Sequence, residues 1–145
     1  MNLEDTHAQV GALLRQNGQR YTSRRVQLVE ILVAADGPVT IQQILDLDKS
    51  LAQSSAYRNL LVLEESHVVA RVVTGTEFAG YELSETFTGH HHHLICSGCG
   101  DVTDFSLSSA EELALERTLQ SAANEAQFTV EAHRLDLIGT CRSCT

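Results

Sequence analysis

Tryptophan is absent from this 145-residue chain, proline occurs once, at Pro38, and nowhere do 18 apolar residues run together. The missing apolar run excludes a membrane-spanning helix, and the polar opening MNLEDTHAQV does not read as a secretory leader. The expected location is therefore the cytoplasm, with no membrane partner. Scarce proline beside 43% hydrophobic and 20% charged residues excludes wholesale disorder and predicts a globular fold. The length suits one ordinary domain or two small ones and excludes a large multidomain enzyme. Internal repeats are missing as well, and the one low-complexity tract is a run of four histidines.

Positive charge is also in short supply. Ten Lys and Arg against 19 Asp and Glu give a net charge of −9, which taken alone argues against a nucleic-acid partner. The distribution changes that reading. Residues 1–60 carry six basic and six acidic side chains, whereas residues 61–145 carry four and thirteen, so the whole excess lies in the second part. Arg15, Arg20, Arg24 and Arg25 fall in a stretch, residues 6–29, that holds no acid. A basic patch thus survives inside an acidic protein, and two regions with different partners are expected.

Helical periodicity runs through residues 6–17 (Val10, Leu13, Leu14) and 22–35 (Val26, Val29, Leu32, Val33). Thr22 or Ser23 is the expected cap of the second helix and Asp36-Gly37-Pro38 its end. Thr40 then caps a short helix through Ile41, Ile44 and Leu45, and Ser54 and Ser55 are expected to cap a last one that runs to about Glu65. Short helices joined by tight turns form a helix-turn-helix, and strands over 67–73 and 78–83 around Thr74-Gly75-Thr76-Glu77 add a wing. Residues 84–89 (SETFTG) lack an apolar period and mark a hinge. The expected domains are 1–83, a winged-helix DNA-binding domain, and 90–145, a small metal-binding dimerisation domain. In the latter, strands over 90–95 and 102–105 precede a helix opened by the capping box Ser108-Ser-Ala-Glu111. That helix carries an apolar stripe from Leu107 through Leu113 and Ala122 to Ala126. A strand over 128–138, broken between Ala132 and Leu135, completes an α+β chain whose second, α/β module has a free sheet edge that invites a partner.

Cysteine is confined to two knuckles, Cys96-Ser-Gly-Cys99 and Cys141-Arg-Ser-Cys144. In a reducing compartment such pairs read as metal ligands, and four thiolates close a tetrahedral zinc site with no open position. Just before the first knuckle stand His90, His91, His92 and His93. On a strand, His90 and His92 share one face while His91 and His93 share the other, so one tetrad seeds two metal sites. Glu82 on the hairpin, Glu111 in a first helical turn and His133 near the last strand offer the remaining donors. Such nitrogen and oxygen sets suit Zn(II), Fe(II) or Mn(II) without choosing among them.

HHHHLICSGCG, together with YRNL in the fourth helix, YEL before the hinge and GTCRSC at the end, resembles the ferric uptake regulator family of bacterial metal-sensing repressors. The resemblance runs from about Gln19 to Cys144 and implies a winged helix, a dimerisation domain and operator binding by a homodimer when a regulatory metal is bound. It implies structural zinc on Cys96, Cys99, Cys141 and Cys144, a regulatory site for zinc or iron at Glu82, His91 and His93, and a further site at His90, His92, Glu111 and His133. The implied DNA-facing set is Arg20, Thr22, Arg24, Ser54, Ser55, Tyr57 and Arg58, with Tyr57 and Arg58 on the recognition helix. Iron-type members supply a further His about where Pro38 stands, and actinobacterial zinc-type members an Asp and a Cys about where Ala70 and Ser84 stand. The fourth regulatory ligand is therefore open among His67, Asp36, His7 and a water. Peroxide-sensing relatives place Asp where this chain has Glu82.

The expected function is a metal-dependent transcriptional repressor of metal-uptake genes, with operator DNA and a second copy of the chain as partners and no small organic substrate. The alternatives are a zinc-dependent hydrolase or deaminase, which HExxH or an HxE and Pro-Cys pattern would have marked, and a peroxide-sensing member of the same family.

Overall fold

The computed structural model describes residues 2–73 and 79–145; the expected hairpin turn at 74–77 and Phe78 lie outside them. The N-terminal part is built from α1 (Leu3–Gln16), α2 (Ser23–Ala34), β1 (Val39–Thr40), α3 (Ile41–Leu47), α4 (Gln53–Glu65), β2 (Val69–Val73) and β3 (Ala79–Leu83). Local chemistry sets the helix starts. The Asn2 side chain accepts from the Glu4 amide, and Thr40 and Gln43 form a reciprocal capping box at α3. The cap expected of Ser54 and Ser55 does not form. Ala52 is the N-cap of α4, so both serines lie within the first turn. Thr22 sits at the N-cap of α2 without a side-chain bond to the backbone.

The strands order as β1-β3-β2, all antiparallel, with Ala70 opposite Glu82 and Val73 opposite Ala79. Gly80 in β3 makes room for Pro38, whose Cβ would stand 2.8 Å from a Cβ at that position. One apolar core, including Val10, Leu14, Leu28, Ile44, Leu60 and Leu63, packs the helices onto the sheet. Helical periodicity in the sequence marks Val10, Leu14, Val29, Leu32, Ile44, Leu60 and Leu63 of this core but not Leu28.

The expected hinge contains a helical turn. Ser84 leads α5 (Glu85–Thr88), Phe87 packs against the N-terminal core, and Gly89 leaves the turn at φ 79°. Beyond it come β4 (His92–Cys96), β5 (Val102–Phe105), α6 (Ser109–Glu125) and β6 (Asp136–Gly139). The sheet orders as β5-β4-β6, with β4 antiparallel to β5 and parallel to β6. The last strand is shorter than the expected 128–138. Only residues 136–139 find a partner, along His93–Cys96, and the parity break before Leu135 marks where pairing stops.

The apolar stripe of α6 does not enter a core. None of its residues is buried in the single chain, and Leu113, Leu119, Phe128, Leu137 and Ile138 are all exposed. The two halves are therefore unlike: the first closes on its own core, and the second leaves its helix face open.

Candidate metal centres and nucleic-acid face

The two cysteine knuckles converge from the end of β4 and from the chain terminus. Their four sulfurs lie within 4.8 Å of one another, with Cys99 Sγ 3.8 Å from Cys141 Sγ. Sulfurs about 2.3 Å from a tetrahedral zinc are separated by about 3.8 Å. The Cys141 amide donates to Cys96 Sγ, and such backbone donors hold the Cys96 thiol down at about 6. Crowding against the other three cysteines pushes Cys144 up to about 12. Without a cation the cluster resists full ionisation, so its chemistry asks for one. Gly98 lets the knuckles meet, since a Cβ there would stand 2.9 Å from Cys144 Cβ.

The histidine run divides as strand parity predicts. On one side Glu82 Oε1 lies 3.2 Å from both His91 Nε2 and His93 Nε2, and Asp104 joins at 3.7–3.9 Å. Glu82 comes from the wing sheet, His93 and Asp104 from the second sheet and His91 from the residue just before it, so this group spans the two halves. Asp104 is directly opposite His93 in the β4–β5 register. Partial burial and the Glu82 charge push its carboxyl above the usual range. The Glu82 hydrogen bond raises His93 against the opposing effect of burial. The outer ring nitrogens are occupied: His91 Nδ1 donates to the Gly89 carbonyl at 2.9 Å and His93 Nδ1 lies 3.2 Å from Asp136. The two Nε2 atoms are thereby aimed at one point.

On the other side His90, His92 and His133 surround Glu112. His133 Nε2 lies 2.9 Å and His90 Nε2 3.2 Å from Glu112 Oε1, while His92 Nε2 is 3.0 Å from Oε2. Glu112 Oε1 is buried and, despite those approaches, makes no hydrogen bond in good geometry. Separations near about 3.3 Å, the edge of a zinc tetrahedron with nitrogen and oxygen ligands, show that these four side chains could hold a metal ion.

On the N-terminal part, Arg20, Thr22, Arg24, Ser54, Tyr57 and Arg58 are exposed. Tyr57 and Arg58 share an open groove of about 580 Å³ with Leu61, Arg71 and Tyr81, between α4 and the wing sheet. Ser55 is half-buried and engaged by Asn59, which in turn accepts from Arg25. Arg25 thus ties α2 to α4, while Arg24 reaches Ser50.

Residues 16–138 match the sequence profile of the Ferric uptake regulator family. The chain belongs to the ferric uptake regulator family. A ferric uptake regulation protein of Campylobacter upsaliensis is 30% identical, covering 91% of this chain and 84% of that one. A peroxide-responsive repressor of Staphylococcus saprophyticus is also 30% identical, over 90% and 86%. Among solved structures, the Helicobacter pylori ferric uptake regulator, described with three functional metal-binding sites, has a TM-score of 0.79 at 22% identity, covering 99% and 94%. A zinc uptake regulator complexed with zinc and DNA has a TM-score of 0.65 at 21% identity, covering 99% and 95%.

Within this member of the ferric uptake regulator family, two expectations about donors are corrected. Glu111 turns away from the histidines. Its carboxylate accepts from the Ser108 amide and hydroxyl, completing the capping box, and Glu112, one position on and about 100° round the helix, faces them instead. The fourth side chain gathered beside Glu82, His91 and His93 is Asp104, not His67, Asp36 or His7. His7 is held elsewhere, by Tyr21 and Glu30, and His67 adopts a left-handed backbone at φ 59° with its carbonyl bonded to Ser84. Neighbouring carboxylates give a direct test. Glu112→Ala is expected to lose about one metal per chain, whereas Glu111→Ala should keep full metal content and lower the melting temperature only slightly, since Ser108 still caps the helix and just the reciprocal half of the capping box is lost. Elemental analysis paired with thermal melting separates the two; equal metal content in both variants would return the ligand to Glu111 or remove the site.

Proposed function

We propose that the protein is a metal-responsive transcriptional repressor that binds operator DNA as a homodimer when zinc or iron fills the Glu82, His91, His93 and Asp104 site. The observation that carries this reading is the origin of those donors: one carboxylate from the wing sheet, and three side chains from the second half, His93 and Asp104 on its sheet and His91 just before β4. A divalent ion there supplies the positive charge that lets two carboxylates and two imidazole lone pairs share one point. The chain's residues do the rest. Glu82 tethers the wing sheet to the donors on and beside β4 at one point, and the arrangement that allows this is favoured over those in which the halves part. A ligand present at a hundredfold above its dissociation constant shifts such a balance by about 2.7 kcal/mol.

The four cysteines are assigned structural zinc, and His90, His92, Glu112 and His133 a further metal within the second domain. The open face of α6 and the β6 edge supply the surface for the second copy, and a two-fold dimer presents its two α4 helices to adjacent major-groove half-sites. The reading places the protein in the cytoplasm, a regulator without a catalytic step; among the described residues no helix is long and apolar enough to cross a membrane.

The test is fluorescence anisotropy on a duplex selected from a random library by the metal-loaded protein. Binding is expected to tighten at least tenfold with Zn(II) or Fe(II), and equal affinity with and without metal would refute the reading. Arg58→Ala should weaken the loaded complex by about 1–3 kcal/mol while leaving metal content unchanged. Relaxed sequence preference in that variant would mark Arg58 as a base reader rather than a phosphate anchor.

A further inference from the structure

The two halves also meet away from the ligand atoms. Arg134, just before β6, donates from Nη2 to the Val73 carbonyl at the end of wing strand β2, at 3.4 Å. The same Nη2 lies 2.8 Å from Asp136 Oδ2, and Asp136 Oδ1 lies 3.2 Å from His93 Nδ1. His93 Nε2 faces Glu82 across the boundary. A continuous polar path therefore leads from the interdomain donors through Asp136 and Arg134 to the backbone of the wing.

We propose that Asp136 and Arg134 are positioning residues that convert occupancy of the interdomain site into a fixed wing orientation, Asp136 by aiming His93 and Arg134 by holding Val73. This rests on the metal-responsive reading above and specifies how the response reaches the DNA-binding half. Glu82, and Gly37 where it lies against Val102 and Asp104, hold the first half to the second, but neither holds the far end of β2 at Val73. Val73 is three residues along β2 from Ala70, the partner of Glu82, a lever of about 10 Å at 3.3 Å per residue. An attachment at that distance holds that end. The Arg134–Asp136 pair is partly exposed and contributes little stability of its own, so its value lies in geometry. The two oxygens of Asp136 serve different tasks, which makes the two residues separable: deleting Arg134 leaves the His93 contact in place, whereas neutralising Asp136 disturbs both.

The test compares wild type, Arg134→Ala, Arg134→Lys and Asp136→Asn in the full-length protein with its cysteine site filled. Zn(II) affinity is read by competition with a chromophoric chelator and operator affinity by anisotropy with and without Zn(II). Arg134→Ala is expected to keep Zn(II) affinity within threefold, melting temperature and metal-free DNA affinity, yet to lose five- to tenfold of the Zn(II)-induced gain in operator binding. Arg134→Lys, which retains a donor of the same charge, should recover at least half of that gain on a logarithmic scale. Asp136→Asn should weaken Zn(II) binding about 10- to 100-fold, as loss of a carboxylate behind a ligating imidazole does. A wild-type gain that persists undiminished in Arg134→Ala overturns the wing attachment while leaving the repressor reading intact. Unchanged Zn(II) affinity in Asp136→Asn overturns the aiming role of Asp136. A wild type with no Zn(II)-induced gain, tested alongside Fe(II), removes the repressor reading itself.

Discussion

Replacing Cys96 or Cys144 by Ser is expected to release the cysteine-bound metal, unfold the second sheet and abolish the dimer, while leaving the winged helix folded. Cys96 ends β4 and is buried, whereas Cys144 is the penultimate residue and is exposed, yet the two belong to one cluster. Between them the chain makes a loop of more than forty residues that holds all of α6 and β6. The second domain has few buried apolar residues, mainly Ile95 and Cys96 beside His92 and His93, so it lacks the hydrophobic driving force that closes the first. Metal binding stands in for it, on a scale of about 10–16 kcal/mol for a structural zinc in a small domain. The N-terminal core is self-contained, so circular dichroism of either variant should retain helices α1 to α4, with zinc content and sedimentation both falling. A variant that stays dimeric and zinc-replete would sink the four-cysteine assignment.

The second large effect is expected from dividing the histidine tetrad. His91→Ala with His93→Ala removes two donors from the site that spans the halves, so operator binding should lose its response to metal while the dimer persists. His90→Ala with His92→Ala removes two of the three imidazoles around Glu112, leaving His133, and with His92 the polar tie between α6 and β4. That variant should bind less metal, dissociate more readily and need a higher metal concentration, yet still respond. The shared strand β4 couples the two sites, so whole titration curves are the useful comparison. Identical curves for the two double variants would collapse the two faces into one site or none.

The division itself was legible in the sequence, because alternation along an extended strand is a matter of counting and the knuckle that follows fixes where the strand ends. The core of the first half was legible for the same reason, with a period of 3.6 in place of 2. Glu111 and Glu112 show the limit of such counting. A capping box and a ligand both favour a glutamate in the first helical turn, and only the direction in which the helix enters from Phe105 to Ser108 decides which carboxylate meets the histidines. Asp104 was missed for a different cause. It becomes a neighbour of His93 through antiparallel pairing of β4 with β5, and folding the hairpin back at the Cys96–Cys99 knuckle would have placed it there. The stripe on α6 was readable, but not what covers it, since a sequence shows that a face is apolar and never whose surface it meets. Arg134 carried no local signal, because its contact with Val73 spans 61 residues.

The uncovered face of α6 makes the protein's own abundance an input. If that face closes only on a second copy, association and completion of the fold are one equilibrium, and the amount of DNA-binding species varies with the square of the monomer concentration when monomer predominates. A metal held by His90, His92, Glu112 and His133 would steady the same helix, so scarcity of metal and dilution by cell growth would push in one direction, toward separated chains. Operator release would then be sharper in rapidly dividing cells than metal affinity alone dictates, and the promoter of the repressor's own gene would become part of the sensor.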